Sequence, residues 1–244
     1  MINMNSDLSG KSALITGAAR GLGLSLAQKL AAEGCKICGV DLRIDELSKE
    51  MHRIENDYGV KTMAIEADIG QEDQVITLTK QVLNEWSDID ILINNAGIRK
   101  VGHVSVVDEK IWDEIQNSNL KGQFLCSREV LRQGMLERDE GMIIFISSDA
   151  AKQGSEGSSA YAASKWAGLG FAASLAKDLK KTNIRISSII PGRVWTPMAE
   201  ESIESSMDID WLDPEPVSDT VLFCIKQASN TVIPEIEIFH RSQL

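Results

Sequence analysis

Short runs rich in Ile and Val recur along the whole chain, and segments of helical periodicity separate them. The runs lie at residues 11–16, 36–41, 61–66, 89–94, 141–147, 184–190 and 232–239. The helical segments lie at residues 21–33, 44–58, 72–86, 108–138, 158–180 and 215–228. Strands that alternate with helices pair in parallel, and right-handed crossovers place the helices on both faces of the sheet. The pattern therefore predicts a doubly wound α/β fold with a seven-stranded parallel sheet.

The size of the chain fits one folded domain. Its 244 residues, 43% of them hydrophobic, are enough for one full core, and no repeat or linker interrupts the alternation. We therefore expect residues 1–244 to form a single domain. The sequence has no apolar run of about 18 residues and no basic, apolar leader at its start, which predicts a cytoplasmic protein without a membrane span.

Charge and cysteine content exclude several classes of partner. The formal net charge of −11 disfavours polyanions, so we expect neither nucleic acid nor membrane as a partner. Four cysteines are too few for a disulfide framework in a chain of this length, and they fit a reducing compartment. Cys35 and Cys38 have C-x-x-C spacing, yet no second pair or nearby His completes a metal site. We interpret both as apolar strand residues and expect no metal.

Residues 192–216 depart from the regular pattern. The stretch contains Gly192, Pro197 and Pro214, two tryptophans and many acidic residues, without a strand-like run. Because it follows the carboxyl end of a predicted strand, where open α/β sheets bind ligands, we expect it to form a substrate lid.

A glycine-rich turn, TGAARGLG at residues 16–23, joins the first predicted strand to the first helix. Glycines let the backbone approach a pyrophosphate, and the helix N-terminus favours the negative charge. An ordinary strand-to-helix turn is the alternative. The candidate cofactor-binding residues of the turn are Gly17, Arg20, Gly21, Leu22 and Gly23.

Asp41 ends the second predicted strand, 18 residues after Gly23. An acid at this place accepts hydrogen bonds from the adenosine ribose and repels a 2′-phosphate, so the sequence favours NAD over NADP. Arg20 and Arg43 flank the site, however, and a phosphate could pair with them. Further small and polar candidates follow the third and fourth strands, namely Asp68, Ile69, Asn95, Ala96 and Gly97.

Tyr161 and Lys165 lie four residues apart in a predicted helix and therefore share one helix face. A cation beside a phenol favours the phenolate and lowers its pKa from about 10, which makes the phenol usable as an acid or base near neutral pH. Many ordinary helices carry such a pair. The fifth strand runs into Ser147 and Ser148, and Asn119 lies in an earlier helix.

The motifs Thr-Gly-x3-Gly-x-Gly, Asn-Asn-Ala-Gly, Ser-x12-Tyr-x3-Lys and Pro-Gly occur in the order and approximate spacing typical of one family. Over residues 8–240 the chain resembles the short-chain dehydrogenase/reductase family, which has a Rossmann-type fold. The resemblance implies that Tyr161 exchanges a proton with the substrate oxygen and that Ser148, favoured over Ser147 by spacing, binds that oxygen. Lys165 would hold the nicotinamide ribose, and Asn119 would complete a water-mediated proton relay.

The resemblance also implies a set of dinucleotide contacts. These residues are Gly17, Gly21, Gly23, Asp41, Asp68, Asn95, Tyr161, Lys165, Pro191 and Gly192, with Val194 and Thr196 near the carboxamide. The reaction expected is hydride transfer between NAD, or less favourably NADP, and a secondary alcohol or ketone.

Candidate substrate contacts combine charged, amide and indole groups, which predicts a small, partly polar substrate. They are Arg99, Lys100, His103, Asp149, Lys152, Gln153, Trp195, Met198 and Trp211. A 3-ketoacyl reductase acting on carrier protein or CoA thioesters is the alternative, although Glu137, Asp139 and Glu140 would repel an acidic carrier. A dinucleotide-binding regulator without turnover is a further alternative.

Seven small residues in the 158–180 helix allow close helix approach: Ala162, Ala163, Ala167, Gly168, Gly170, Ala172 and Ala173. In the family this helix and the one at 108–138 form a dimer interface, so we expect a homodimer or homotetramer. The chain ends in IEIFHRSQL, without the glycine-rich ending common in the family, and this departure concerns the C-terminal contacts that many tetrameric members use.

Overall fold

The computed structural model describes residues 7–200 and 210–244. Its strands are β1 (Ser12–Thr16), β2 (Lys36–Asp41), β3 (Thr62–Glu66), β4 (Ile91–Asn94), β5 (Gly141–Ile146), β6 (Ile184–Pro191) and β7 (Glu235–Ile238). Its α-helices are α1 (Gly21–Ala32), α2 (Ile44–Tyr58), α3 (Glu72–Trp86), α4 (Glu109–Gln116), α5 (Gly122–Val130), α6 (Leu136–Arg138), α7 (Ser159–Asp178), α8 (Pro197–Glu200) and α9 (Pro214–Ile225). The described residues also form two π-helical turns, Asn117–Lys121 and Leu131–Met135, and two 3₁₀ turns, Asp149–Ala151 and Arg241–Gln243.

The strands form one parallel sheet in the order β3-β2-β1-β4-β5-β6-β7. The predicted doubly wound, seven-stranded fold is therefore confirmed. The chain winds outward from β1 in both directions, and β1 and β4 are neighbours at the reversal. In open parallel sheets, ligands bind outside the carboxyl ends of the strands at such a reversal.

The sheet is covered on both faces, as its apolar strands require. Successive side chains of a strand point to opposite faces, so Ala13 and Ile15 belong to one core cluster and Leu14 belongs to the other. The first cluster packs against α1, α2 and α9, for example through Leu26, Leu47 and Val221. The second packs against α3, α5 and α7, for example through Leu78, Leu125 and Ala172.

The last strand is shorter than the sequence predicts, since it begins at Glu235 instead of residue 232. Pro234 precedes it, and proline has no amide hydrogen to donate to the sheet. Its carbonyl still accepts a 2.9 Å hydrogen bond from the amide of Ser188. The run at 232–239 is thus only partly strand.

The predicted helix at residues 108–138 is interrupted by two π-helical turns, Asn117–Lys121 and Leu131–Met135. The first turn brings Asn119 to a fully buried position beside Gly97. Gly122 follows, and a Cβ there would lie 2.6 Å from Cδ1 of Ile69. Single π turns inside helices often occur at functional sites, and this one delivers a predicted site residue.

All four cysteines are free and buried. Burial raises the pKa of the Cys35 and Cys126 thiols to about 12, so both stay protonated near neutral pH. The burial of Cys35 and Cys38 agrees with their interpretation as apolar strand residues. Across residues 7–200 and 210–244, no helix combines the length and apolar composition that crossing a membrane requires.

Candidate active site

A cleft of about 470 Å³ opens at the carboxyl ends of the strands, and most of the predicted site residues line it. These residues are Gly17, Arg20, Gly21, Leu22, Gly23, Asp41, Asn95, Ala96, Gly97, Ser148, Tyr161, Lys165, Pro191, Gly192, Val194 and Thr196. Residues separated by up to 179 positions in sequence are thus brought into one cavity. Asn119, Asp68 and Ile69 are not part of its lining.

The glycine-rich turn follows β1, at the point where the strand order reverses between β1 and β4. Gly17 has a φ of 69°, which side-chain-bearing residues rarely adopt, and a Cβ on Gly23 would lie 2.0 Å from the carbonyl oxygen of Gly17. The backbone of the turn is therefore packed against the first turn of α1 without room for side chains. This is the form of cradle that a pyrophosphate requires.

Thr16 organises the same cradle, a role that the sequence did not reveal. Its hydroxyl oxygen accepts hydrogen bonds from the amides of Asn95 (3.1 Å) and Ala96 (3.0 Å) and donates to the carbonyl of Ile93. The side-chain NH₂ of Asn95 in turn donates to the carbonyls of Thr16 (2.9 Å) and Gly17 (3.1 Å). The strand-end threonine and the asparagine thereby fix the two loops to each other.

Asp41 lies at the end of β2 with its carboxylate held by the backbone. One oxygen accepts a 3.2 Å hydrogen bond from the amide of Ala19, in the glycine-rich turn, and the other accepts one of 3.1 Å from the amide of Arg43. The guanidinium of Arg43 lies 3.5 Å from the same carboxylate. The structure thus joins Asp41, the predicted ribose-binding acid, to the glycine-rich turn and to Arg43. Arg43 is one of the two arginines that could pair with a 2′-phosphate.

Lys165 is almost fully buried, with 5% of its surface exposed, in the wall of the cleft. Its ammonium donates a 3.1 Å hydrogen bond to the carbonyl of Ile146, at the end of β5, and lies 5.6 Å from the ring centre of Tyr161. Burial lowers the pKa of Lys165 to about 8, because the charged form loses its hydration. The ammonium is therefore held close to the phenol, and its pKa of about 8 is well below that of an ordinary lysine.

The side chain of Asn119, which lies outside the lining of the cleft, forms hydrogen bonds with backbone and side-chain groups. Its carboxamide oxygen accepts from the amide of Ile98 (2.7 Å), and its NH₂ donates to the carbonyl of Ile98 (2.9 Å) and to Ser164 Oγ (3.0 Å). Ser164 belongs to the helix of Tyr161, and its hydroxyl donates to the Tyr161 carbonyl. The side chain of Asn119 thus links the loop after β4 to the turn that carries the phenol. Its predicted part in a proton relay stays a prediction.

Ser147 and Ser148 differ in their surroundings. The Ser148 hydroxyl donates a 2.8 Å hydrogen bond to the carboxylate of Asp149 and accepts one from the amide of Ala150. The Ser147 hydroxyl is buried without a hydrogen-bond partner in the described part of the chain. Both residues line the cleft, so the cleft does not distinguish them. The prediction of Ser148 as the catalytic serine still rests on its spacing to Tyr161.

Asp68 and Ile69 lie outside the cleft. The Asp68 carboxylate accepts a hydrogen bond of 2.9 Å from the amide of Gly70 and stabilises the turn before α3. Ile69 is buried against Gly122. Their proposed contacts with the dinucleotide stay predictions.

The predicted lid at 192–216 is described at both ends, whereas residues 201–209 lie outside the described residues. At its ends, Val194 pairs with Leu212, and the rings of Trp195 and Trp211 meet edge to face with centres 5.4 Å apart. Gln243 connects the two ends, because its carboxamide bonds with the amide and carbonyl of Arg193 (2.9 and 3.1 Å) and with the carbonyl of Asp210 (2.9 Å).

Six of the nine predicted substrate contacts line the cleft, namely Arg99, Lys100, Asp149, Gln153, Met198 and Trp211. His103, Lys152 and Trp195 do not. His103 hydrogen-bonds Ser105 at the surface, and Lys152 pairs with Glu235 at 2.6 Å. The substrate end of the cleft is consequently polar and charged, with one indole.

The residues present fit a dinucleotide better than a metal. The glycine cradle, the Asp41 carboxylate and the buried ammonium of Lys165 all line the cleft. Within residues 7–200 and 210–244, no group of three or more His, Cys, Asp and Glu side chains is placed to hold a metal ion.

Comparison with known proteins gives one consistent result. Residues 11–206 match the profile of the family described as short chain dehydrogenase. A 3-oxoacyl-(acyl-carrier-protein) reductase of Staphylococcus epidermidis is 33% identical over 192 residues, which are 77% of this chain and 77% of that protein.

Solved structures agree with the fold. A metagenomic short-chain oxidoreductase in complex with NADP matches with a TM-score of 0.84 at 28% identity, covering 96% of this chain and 98% of its own. A variant of actinorhodin polyketide ketoreductase with NADPH matches with a TM-score of 0.87 at 26% identity, covering 94% and 96%. Both similarities extend over nearly the whole length of either partner.

Proposed function

We propose that this chain, which belongs to the short-chain dehydrogenase family, oxidises a secondary alcohol or reduces a ketone of a small, partly polar substrate. One observation carries the proposal: Ser148, Tyr161 and the buried Lys165 line the same cleft as the glycine cradle and Asp41. The dinucleotide, when bound, supplies or accepts the hydride. The protein's own residues then have to bind and orient both reactants and to move one proton.

In the direction of reduction, the phenol of Tyr161 donates its proton to the substrate oxygen, and in oxidation the phenolate accepts it. The ammonium of Lys165, 5.6 Å from the ring centre, stabilises the phenolate electrostatically. Ser148 donates a hydrogen bond to the same oxygen as negative charge develops there. Asn119 supports this geometry through Ile98 and Ser164.

We infer that NAD is the preferred dinucleotide. The Asp41 carboxylate faces the cleft at the end of β2, where it would accept bonds from ribose hydroxyls and repel a 2′-phosphate. Arg20 and Arg43 also line this end, and two structural neighbours were solved with NADP or NADPH. The ion pair of Arg43 with Asp41 favours NAD, because it partly neutralises the cation that a phosphate would need.

A 3-ketoacyl thioester reductase is the second candidate, since the Staphylococcus epidermidis relative is a 3-oxoacyl-(acyl-carrier-protein) reductase. Of the acidic residues expected to repel an acidic carrier, Asp139 holds Asn183 and Glu140 pairs with Lys11. These contacts weaken the electrostatic objection without removing the charges.

A homodimer or homotetramer is the proposed assembly. Of the seven small residues of α7, Ala162, Gly168 and Ala172 are buried within the chain. Ala163, Ala167, Gly170 and Ala173 are exposed, and Trp166 beside them is 53% exposed. An exposed face of small residues with one indole supports close packing against a second copy. The substrate lid at 192–216 and the cytoplasmic location also stay proposals.

The test is to record nicotinamide absorbance with NAD and with NADP against small secondary alcohols, ketones and one ketoacyl thioester. We expect turnover of a small alcohol or ketone with NAD, and its loss in Tyr161→Phe. Turnover mainly of the thioester with NADPH would favour the second candidate and contradict the cofactor preference. Tight NAD binding without any turnover, unchanged by Tyr161→Phe, would indicate a dinucleotide-binding regulator.

A further inference from the structure

The charge of the cleft is opposite to that of the protein. The whole chain has a net charge of −11, yet six basic and only two acidic side chains line the cleft. The basic residues are Arg20, Arg43, Arg99, Lys100, Lys165 and Arg193, of which Lys100 pairs with Glu114 outside the lining, and the acidic ones are Asp41 and Asp149. A positively charged cavity in a negatively charged protein favours anionic ligands.

The dinucleotide explains only part of this positive charge. Arg20 belongs to the glycine cradle and Arg43 pairs with Asp41, so both lie at the adenosine end. Lys165 is buried beside the phenol. Arg99 lies at the reaction end, because its guanidinium carbon is 5.9 Å from the centre of the Tyr161 ring.

Arg99 is held in this position by the helix that carries the phenol. Its guanidinium donates a 3.3 Å hydrogen bond to the hydroxyl of Ser158, the residue that precedes α7. Ser158 is 1% exposed, so a buried residue anchors the guanidinium. Arg99 itself is half-buried and faces the cleft. The catalytic phenol is therefore close to two cations, and both of them line the cleft.

We propose that Arg99 binds a carboxylate of the substrate, so that the substrate class is small hydroxy acids and their oxo acids. This inference rests on the proposed function. A guanidinium presents a planar fork of donors that matches a carboxylate with two hydrogen bonds. The Asp149 carboxylate lines the same cleft and accepts a hydrogen bond from Ser148, so it repels a doubly charged phosphate more strongly than a singly charged carboxylate.

The position of Arg99 also limits the size of the substrate. The reacting oxygen must lie within about 3 Å of the phenol. Because the guanidinium lies against the ring of that phenol, an anion bound to it is only a few bonds from the reacting carbon. A carboxylate at the far end of a long acyl chain would not meet this condition.

The experiment compares 2- and 3-hydroxy acids of three to six carbons with their methyl esters, in the wild type, Arg99→Gln and Arg99→Lys. We expect the best acid to exceed its ester at least tenfold in kcat/KM. Arg99→Gln should lower kcat/KM for the acid at least tenfold, mainly by raising KM, and should lower kcat/KM for the ester by a clearly smaller factor. Arg99→Lys should retain part of the preference. Arg53→Gln, an exposed arginine of α2 remote from the cleft, is the matched control.

A second measurement separates this inference from the proposed function. Calorimetric titration of the NAD-saturated protein with the same hydroxy acids reports binding without requiring turnover. Binding that is weakened at least fivefold in Arg99→Gln, and not in Arg53→Gln, supports the inference even if no acid reacts. Esters preferred over acids, equal losses for acid and ester, or no acid binding to the wild type would overturn it.

Discussion

The hydroxyl of Ser148 donates its hydrogen bond to the carboxylate of the next residue, Asp149, at 2.8 Å. A serine has one proton to donate, so the same hydroxyl cannot also donate to a substrate oxygen. Asp149 therefore competes with the substrate for Ser148, and its charge also opposes negative charge developing on the substrate oxygen. The two residues are adjacent in sequence, but only the structure reveals the competition.

Replacing Asp149 by Ala should release Ser148 for the substrate. A hydrogen bond to a charged group contributes about 1.5 to 3 kcal/mol, part of which is lost when the substrate displaces it. We expect kcat/KM for ketone reduction to rise by about three- to tenfold in steady-state assays. Asp149→Asn keeps an acceptor without the charge, so its kcat/KM should lie between those of the wild type and Asp149→Ala. A drop in kcat/KM for both variants would mean that Asp149 binds the substrate instead.

Tyr161→Phe and Lys165→Met should separate chemistry from cofactor binding. The phenylalanine lacks the exchangeable proton, so we expect kcat to fall by about 10² to 10⁴ with the Kd for NAD nearly unchanged. Lys165→Met removes the ammonium that would hold the ribose and stabilise the phenolate, so both kcat and NAD affinity should fall. Stopped-flow assays and NADH fluorescence titration measure the two effects. Equal turnover of both variants and the parent would refute the assigned roles.

The burial of Lys165 should also appear in the pH dependence of stability. Its pKa is about 8 in the folded protein, against 10.5 for an ordinary lysine. Between these values the unfolded chain binds more protons, so this residue makes wild-type stability rise with pH from 8 to 10.5, by about 3 kcal/mol in total. Below pH 8 the ammonium is charged in both states, and its full burial penalty applies.

Lys165→Met lacks this titration. Its unfolding free energy relative to wild type should be highest at pH 7 and should decline toward pH 10. Urea denaturation of the dinucleotide-free proteins at pH 7, 8.5 and 10 checks the trend, with Lys110→Met, an exposed lysine of α4, as control. A difference that does not vary with pH would contradict a buried ammonium.

Asp41→Ser should shift the dinucleotide preference. Loss of the carboxylate removes repulsion of a 2′-phosphate and frees Arg43 from its 3.5 Å ion pair. We expect the ratio of kcat/KM with NADP to that with NAD to rise at least tenfold. Because Asp41 also accepts the amide of Ala19, thermal unfolding must show that the variant folds. An unchanged ratio would mean that Asp41 does not face the adenosine ribose.

Sequence periodicity was sufficient for the fold. The bounds of α2 and α3 agree with the prediction, because both helices carry a regular apolar face and clear ends. The structure differs from the prediction where a local feature interrupts the periodic pattern of the sequence. Pro234 shortens β7, and the π turn at Asn117–Lys121 interrupts a pattern that reads as one helix.

The candidate site was predictable where side chains define it, as with Tyr161 and Lys165. It was not predictable where the backbone provides the partner. The carbonyl of Ile146 holds Lys165, and both backbone groups of Ile98 hold Asn119. Every residue has these groups, so residue type gives no signal for them. The anchoring of Arg99 by Ser158 joins residues 59 positions apart and needed the fold.

The contacts of Gln243 have a practical consequence. A Cβ on Gly192 would lie 2.2 Å from the Gln243 oxygen, so this side chain is packed tightly against the strand end that borders the cleft. The next residue, Leu244, is 91% exposed. A group attached to Leu244 would therefore lie one residue from the contacts that join Arg193 and Asp210, so kinetic measurements on such a protein need an unmodified control.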